Sequence, residues 1–597
     1  MLPFEDSRRL MGGNLFFAST GAVLEVVGVP LDDALIEGWR TRVDRAGARL
    51  KWVNRAAVAR RHPAGASLAI AAPDDQLFLA TEVNEWALCA ALIERDPARW
   101  DTLEEALVAE ALRAAADAHS PAAALQPVVE ETAAFARFER LASLESQPRL
   151  RNLLDAAAAR GLPHVIDESE LTLGAGVGGR NFSLSALPSI AEVPWQELRD
   201  IPTALVTGSN GKTTTVRLLA ACARAHGWHA GYNCTDGVFL DDEVMALGDY
   251  SGPAGARRVM RDRRTEAAIL ETARGGILRR GVVVSQADAA VVTNVSSDHF
   301  GEYGIHDLAG LAQVKLAVGA VVKPRGLLVL NADDAQLRAQ ADDFARRFGR
   351  CPPLGWFSIN AEDPRLREYG RRGSATCGVR DGHLSVSREG AEHDLGPIAA
   401  MPLTMDGIAA YNVANLAGAA LAAVALGIAP HTIAAVFARF GSSLNDNPGR
   451  LMRFDTAGVT VLVDYAHNPD GLRGFLNVAE HLRDGGRLGL MLGHAGNRKD
   501  ADIEELARAA AEFRPDLVVV KEDESHLRGR APGEIPRIIR AELIRCGLPE
   551  SALPVANSEV EAARLALAWA RPGDVLALPV HSLSARSAVV ALLAKRS

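Results

Sequence analysis

From Thr203 onward the chain alternates short, continuous apolar runs with longer stretches in which apolar residues recur every three or four positions. The short runs predict buried strands and the longer stretches predict helices packed on a sheet. TALVTG reads as a strand, and Lys212 to His226 as a helix. AAILE (Ala267 to Glu271), AAVVTN (Ala289 to Asn294) and GLLVLN (Gly326 to Asn331) read as further strands. Helices are predicted from Asp307 to Val322 and from Ala332. This alternation predicts an α/β fold with a doubly wound, mostly parallel sheet. Residues 351–407 break the rhythm with many glycines, which predicts a small β-rich insertion. A second alternation begins near Val459. Its predicted strands are VTVLVDYAH, RLGLMLG, PDLVVVKED and DVLALPV, with helices from about Pro469, Ala501, Gly533 and Ser558. It predicts a Rossmann-like α/β C-terminal domain.

The part before Thr203 is less regular. Residues 1–150 mix short apolar runs with alanine-rich helical stretches such as Leu103 to Ala118, predict an α+β domain and carry no chemical motif. Residues 151–197 form a connector, with an alanine-rich helix, glycines at 174, 176, 178 and 179, and a segment punctuated by Pro188, Pro194 and Pro202. The predicted division is 1–150, 151–197, 198–446 and 447–597, and a chain of 597 residues has room for these domains and their cores.

Composition narrows the function classes. A net charge of -9 argues against a general nucleic-acid binder, without excluding local phosphate pockets. The six cysteines are widely spaced with no CxxC pair, which points to thiols in a reducing compartment. The start of the chain lacks an apolar signal segment, and the small-apolar run Leu416 to Ala429 is too short to span a bilayer. The expectation is a cytoplasmic protein without membrane or nucleic-acid partners.

The clearest chemical motif is TGSNGKTTT, Thr207 to Thr215, placed between a predicted strand and a predicted helix. That is the context a phosphate loop requires. Gly208 and Gly211 permit a tight turn, and the amides at the helix N-terminus face anionic phosphate. Lys212 offers a charge to the β- and γ-phosphates, and Thr213 a hydroxyl to Mg²⁺. Only Ser209 and Asn210 separate the two glycines, so the loop is shorter than the general phosphate loop. Glu271 ends a predicted strand at the sheet edge where ligands bind. Its carboxylate reads either as a Mg²⁺ ligand or as an ion-pair partner of Arg274 or Arg280. Arg274 and Arg279 read as grips for a carboxylate or phosphoryl group, or as solvated arginines.

The compact loop resembles that of the Mur ligase family, and the resemblance extends over about 200–590. It is strongest to the C-terminal ligase module of cyanophycin synthetases. The stretches that carry it include TDGVFL, GDYSGPAGARRV, LETARGGILRRG, TNVSSDHFGEYGI, NADD, NPGRLMRFD, DYAHNPDG, GNRKD and KEDESHLRGRAPGEI. The opening SRRLMGGNLFF resembles the start of cyanophycin synthetases, and the connector resembles the beginning of their ATP-grasp module, whose body is missing.

The resemblance implies an ATP-dependent ligase that phosphorylates an acid and then couples it to an amine. It implies ATP bound at Gly208, Ser209, Asn210, Gly211, Lys212, Thr213 and Thr214. It makes Thr213 and Glu271 ligands of Mg²⁺, and assigns a second ion to His299 and to a carbamylated Lys315. It places Asn412 and Asn415 near the adenine, Arg450 at phosphate and Asp464 at the ribose. Asn415 also reads as a helix-start cap. His467 and Asn468, which follow in DYAHNPDG, are implied to be substrate residues among cross-domain contacts. Arg498 and the charged stretch Lys521 to Arg530 resemble the part that receives the amine, and Glu522, Asp523 and Glu524 read as binders of a cationic amine such as arginine. The latter three also read as a solvated acidic turn. Lys499 belongs to the same region. The implied product is an isopeptide on an aspartyl carboxyl, from small-molecule or peptide substrates, with either a homo-oligomer or a partner ligase supplying the acceptor. Two alternatives stand beside it: a ligase for a different acid, and a non-catalytic ATP-binding subunit of a complete synthetase.

Overall fold

The computed structural model describes residues 2–117, 126–297, 300–522 and 527–595. Among them are four sheets. The first is antiparallel, in the order β1-β2-β4-β3, from β1 (Phe4–Leu10), β2 (Gly21–Val27), β3 (Ala57–His62) and β4 (Gly65–Ala71). Helices α1 (Asp33–Arg49) and α2 (Leu77–Arg95) cover one face around Trp39 and Leu68, and α3 (Leu103–Asp117) and α4 (Glu131–Glu145) pack outside. Helix α5 (Pro148–Ala159) then leads to a small antiparallel sheet of β5 (His164–Ile166), β6 (Glu170–Leu173) and β7 (Arg180–Ser183).

The large sheet is built from β8 (Thr203–Thr207), β9 (Ala230–Cys234), β10 (Gly237–Leu240), β11 (Glu243–Leu247), β12 (Ala267–Glu271), β13 (Ala287–Val292), β14 (Val322–Asn331), β15 (Leu354–Phe357), β16 (Ala375–Arg380), β17 (His383–Arg388) and β18 (Ala391–Pro397). Its order is β11-β10-β9-β12-β8-β13-β14-β15-β16-β17-β18. The run from β9 to β16 is parallel, and both margins are antiparallel. Strand β8 therefore lies where the chain winds outward in both directions, and ligands bind at that switch point.

Alternation along β8 feeds two cores. Leu205 enters the layer under α7 (Pro253–Arg261), α8 (Arg274–Arg280) and α9 (Leu308–Leu316). Ala204 and Val206 enter the opposite layer, which holds Leu218 of α6 (Lys212–His226), Leu421 of α13 (Ala410–Ala425) and Val436 of α14 (Pro430–Phe437). Short helices α10 (Ala335–Ala341), α11 (Phe344–Phe348) and α12 (Pro364–Arg371) connect the later strands.

The structure departs from the pattern-based expectation in two places. The strands of 351–407 do not form a separate insertion. β15 pairs in parallel with β14, and β16 in parallel with β15, so the region extends the main sheet. The helix expected to Val322 ends at Leu316, and a 3-10 turn, Ala317–Val321, leads directly into β14.

The last sheet has the order β19-β20-β24-β21-β22-β23, from β19 (Met452–Thr456), β20 (Val459–Asp464), β21 (Leu488–Leu492), β22 (Leu517–Lys521), β23 (Val555–Ala556) and β24 (Val575–Pro579). It is parallel beyond β20. Helices α15 (Pro469–Leu482), α16 (Asp500–Ala511) and α17 (Glu534–Arg545) cover one face, and α18 (Glu559–Trp569) and α19 (Leu583–Ala594) the other. Among the described residues, no helix is long and apolar enough to cross a membrane.

A buried ion cluster joins the two α/β units. Asp236, in the turn after β9, accepts from Arg217 of α6 at 2.5 Å and pairs with Arg586 of α19 at 3.1 Å. Arg217 also donates to Pro448 O at 3.1 Å, and Asn447 donates to Thr214 at 3.2 Å. Burial raises the Asp236 carboxyl, but Arg217, Arg450 and Arg586 outweigh it and hold it below its ordinary range. Removing one partner of such a pair strands the others away from water. Asp236→Ala is therefore expected to cost about 3–5 kcal/mol, read from the midpoint of urea unfolding. A loss within measurement error would show that water already reaches the cluster.

Candidate active site

Helix α6 begins directly after β8, and the turn between them is the phosphate loop. Gly211 occupies the N-cap with φ +83. A Cβ there would lie 2.1 Å from Asn415 Oδ1, and one at Gly208 would lie 1.8 Å from Thr293 Oγ1. No other residue type fits either place without moving the wall. The turn is held by its neighbours. Ser209 N donates to Asn294 O at 2.9 Å, Asn210 N to Asn294 Oδ1 at 2.9 Å, and Thr293 Oγ1 to Asn210 O at 2.6 Å. Ser296 N donates to Ser209 Oγ at 3.0 Å. Lys212 Nζ folds back over the loop, 3.1 Å from both Gly208 O and Ser209 O.

Glu271 lies at the end of β12, paired in register with Val206 of β8. It is 1% exposed. Its carboxylate accepts from Thr213 Oγ1 at 2.8 Å and Thr235 Oγ1 at 3.2 Å. Burial raises its pKa, against the opposing pull of Lys212, Thr213 and Arg450. The ion-pair alternative does not hold for Arg274, which pairs with Glu302 at 2.5 Å.

A cavity of about 320 Å³ opens over the loop, lined by Asn210 to Thr214, Glu271, Asn412, Asn415, Arg450, Asp464 and His467. Asn415 donates to Asn412 Oδ1 at 3.1 Å, and Asn412 donates to Leu403 O at 2.9 Å, so α13 presents a fixed amide wall. Arg450 reaches across to Thr213 Oγ1 at 3.3 Å and lies over the Tyr465 ring at 4.1 Å. Burial raises Asp464, opposed by Arg450, while its Oδ2 accepts from Leu451 N at 2.7 Å. Among the described residues, the buried Arg450 Nε and Tyr411 hydroxyl have no hydrogen-bond partner. Orphaned polar groups beside a phosphate loop fit a polar ligand such as a nucleotide. The Thr213–Glu271 oxygen pair fits a hard cation.

A second cleft of about 1060 Å³ continues from Lys212 and Glu271 toward the first sheet. Its cationic wall includes Arg9, Arg257, Arg274, Arg279, Arg280 and Arg528, and Lys315 of α9 faces it from a buried position. Arg9 lies 3.8 Å over the Phe78 ring. Sequence reading missed the contribution of β1, because SRRLMGGNLFF carries only a resemblance and gives Arg8 and Arg9 no role. Their adjacency in SRRL was the available signal. Arg8 Nε donates to Leu278 O at 2.8 Å and holds this strand against α8.

A third cavity of about 270 Å³ lies at the carboxyl edge of the last sheet. It contains Arg498, Lys521, Glu559 and three histidines, 467, 494 and 581. Lys521 and Glu559 form a buried pair, which sequence reading also missed. Asn468 caps α15 by accepting from Gly471 N at 2.8 Å and exchanges amide hydrogen bonds with Asn210 at 2.9 and 3.2 Å. Glu522 accepts from Gly533 N at 2.9 Å and so caps α17. Lys499 approaches the 300–304 turn near Gly301. His299, Asp298, Asp523 and Glu524 lie outside the described residues.

The geometry is that of an α/β protein with a glycine-rich turn at the switch point of its main sheet and a polar cavity walled by two doubly wound units. Residues 206–423 match the Mur ligase middle domain, and residues 449–578 match the Mur ligase, glutamate ligase domain. The cyanophycin synthetase of Synechocystis sp. is 37% identical over 339 residues, covering 57% of this chain and 38% of that one. The UDP-N-acetylmuramoyl-L-alanyl-D-glutamate--2,6-diaminopimelate ligase of Geobacter metallireducens is 30% identical over 403 residues, covering 63% of this chain and 73% of that one. Among solved structures, E. coli FolC in complex with DHPP and ADP aligns at a TM-score of 0.47 and 18% identity, over 66% of this chain and 89% of that one. The chain belongs to the Mur ligase family, whose members are ATP-dependent carbon–nitrogen ligases. It spans 38% of the length of the cyanophycin synthetase it matches.

The raised Glu271 carboxyl has a consequence for stability. A raised folded-state value favours folding below the unfolded carboxylate range and loses that benefit as pH rises through the folded value. Glu271→Gln removes the buried charge while keeping an acceptor for Thr213. It is expected to raise the thermal midpoint of the ligand-free protein above neutral pH, with the gain shrinking as pH falls toward the carboxylate range. A midpoint difference that is constant with pH would contradict the assignment.

Proposed function

We propose that the chain is an ADP-forming ligase that activates an acid as an acyl phosphate and couples it to an amine, as in cyanophycin synthetases. The observation that carries this reading is the juxtaposition at the phosphate loop. Glu271 and Lys212 line both the loop cavity and the arginine-walled cleft. Tyr465 and His467 line those two and the cavity of the last sheet. An acid held in the cleft would meet the γ-phosphate on one side and an amine on the other.

In this reading, ATP lies along the loop with its phosphates against the α6 amides and Lys212, and its base against Asn412 and Asn415. Arg450 reaches the phosphates and Asp464 the sugar. Arg274, Arg279 and their neighbours hold the acid's carboxylate through paired N–H donors. Closure of the last unit keeps water from a hydrolysable intermediate. Thr213 and Glu271 would hold Mg²⁺, with His299 and a carbamylated Lys315 holding a second ion. The metal would neutralise charge developing on the transferred phosphoryl. His467, Asn468, Arg498 and Glu522 belong to the amine side, Glu522 through the α17 cap.

The acid we favour is an aspartyl carboxyl and the amine is arginine or another amino acid, giving an isopeptide. A partner ligase that builds the acid backbone, or a homo-oligomer, fits this division of labour, as does a cytoplasmic setting. On this reading 1–150 and 198–446 shape the acid and nucleotide sites, 447–597 the amine site, and 151–197 connects them as the remnant of an ATP-grasp start.

The test is a screen of acids and amines with ATP and Mg²⁺, scored by ADP release and by mass spectrometry for loss of water between paired substrates. ADP release that needs both an acid and an amine is expected. Nucleotide binding without turnover for every pair would favour a non-catalytic subunit, and turnover with another acid would reassign the substrate. Lys212→Ala is expected to lower ADP release by roughly 10²–10³-fold with a nearly unchanged thermal midpoint. Retained turnover would remove the nucleotide assignment.

A further inference from the structure

An amine arrives at neutral pH largely as an ammonium ion, with α-amino groups titrating near 7.7–8.0 and lysine-like amines higher. It has no lone pair for attack until a proton is removed. The chain must therefore place a base where the amine, the acyl carbon and the loop meet. Tyr465 and His467 are the residues that line all three cavities.

Resting on the ligase reading above, we propose that His467 is the general base that deprotonates the incoming amine.

Its placement is fixed from both sides. The next residue, Asn468, is tied to Asn210 of the phosphate loop by two amide hydrogen bonds. The preceding carbonyl, Ala466 O, lies 3.1 Å from His581 Nε2. His467 packs edge-on against Tyr465, with ring centroids 5.4 Å apart. Its Nδ1 lies 3.3 Å from Tyr465 O. A hydrogen bond donated there fixes the tautomer with the lone pair on Nε2, the form a base needs.

Two other histidines line the cavity of the last sheet. His494 Nδ1 accepts from Ala495 N at 2.9 Å within its own turn. His581 is packed beside the buried Lys521–Glu559 pair, its Nδ1 3.5 Å from Lys521 Nζ. Burial, then the Lys521 charge, hold its pKa well below the ordinary histidine value. His581 is thus a neutral positioning residue behind the turn.

The step balances as follows. His467 Nε2 takes one proton from the ammonium. The freed nitrogen pair attacks the acyl carbon, and the C–N bond forms as the carbonyl π pair moves to oxygen. Collapse restores the carbonyl and breaks the carbon–oxygen bond to phosphate, which leaves with that electron pair. The second nitrogen proton passes to the departing phosphate, and His467 returns its proton to solvent.

The experiment compares two nucleophiles on the same acyl phosphate. The full chain and its His467→Gln variant are given ATP, Mg²⁺ and poly-L-aspartate, with either L-arginine or hydroxylamine. Hydroxylamine is mostly unprotonated at neutral pH and needs no base. The variant is expected to lose arginine coupling by about 10²-fold or more while still trapping the acyl phosphate as hydroxamate. Raising the pH should restore part of the arginine reaction as free amine accumulates. Equal losses with both nucleophiles, or no loss with either, would overturn the proposal. His467→Asn is read by the same ratio, and an ATP-dependent thermal shift confirms that each variant folds and binds nucleotide. A wild-type chain that releases no ADP with any acid of the screen would overturn the ligase reading itself, and this inference with it.

Discussion

The rest of the molecule depends on how tightly the phosphate loop is clamped. Gly208 lies against Thr293 and Gly211 against Asn415, so both ends of the loop touch neighbouring elements with no space for a side chain. The loop's own amides and carbonyls are then fixed by Thr293, Asn294 and Ser296 after β13. A loop held this way presents its amides without reorganisation when charge develops nearby, which is where electrostatic catalysis gains most. The large sheet supplies the rigidity. Strand β8 is flanked by β12 and β13, and each delivers its functional residue at the same edge.

That rigidity concentrates charge within the fold. Glu271 and Asp464 are buried carboxylates pushed upward, with Lys212 and Arg450 opposing the shift only in part. Arg450 Nε and Tyr411 Oη are buried without partners among the described residues. Such groups cost stability until a ligand satisfies them. In the proposed reading, a phosphate-bearing ligand offsets a penalty already present in the fold. Away from the loop the opposite holds. The Arg217–Asp236–Arg586 cluster is internally satisfied and serves as a joint between the two α/β units.

What was legible in the sequence follows from range. Helix α6 starts and ends where periodicity and its terminal Gly227 place it. Glu271 stands at a strand end because its strand is a continuous apolar run with an abrupt polar stop. Arg274 and Arg279 of the arginine wall were legible, but the share of β1 was not, since Arg8 meets Leu278 across 270 positions and locally reads as a solvated strand residue. The Lys521–Glu559 pair is hidden in the same way, because each partner looks like an ordinary surface charge within its own segment. β15 to β18 were misread as an insertion because short strands with glycine-rich turns carry no signal of which sheet they join. The hydrogen bond of Glu522 to Gly533 N at the start of α17 is likewise visible only in the fold.

The turn from Asp464 to Asn468 gathers these threads. It leaves β20, a strand held on both sides by β19 and β24, and ends at the capped start of α15. It is therefore fixed to the last unit at both ends. Within five residues it places Asp464 at the nucleotide cavity, Tyr465 and His467 at the junction of three cavities, and Asn468 on the loop. The Asn210–Asn468 exchange is made of two neutral amide bonds at the domain interface. Each contributes on the order of 1 kcal/mol, enough to set register and too little to prevent reopening. The proposed reaction, which admits an acid and a nucleotide, shuts out water and then releases a product, calls for a contact of that strength at that place.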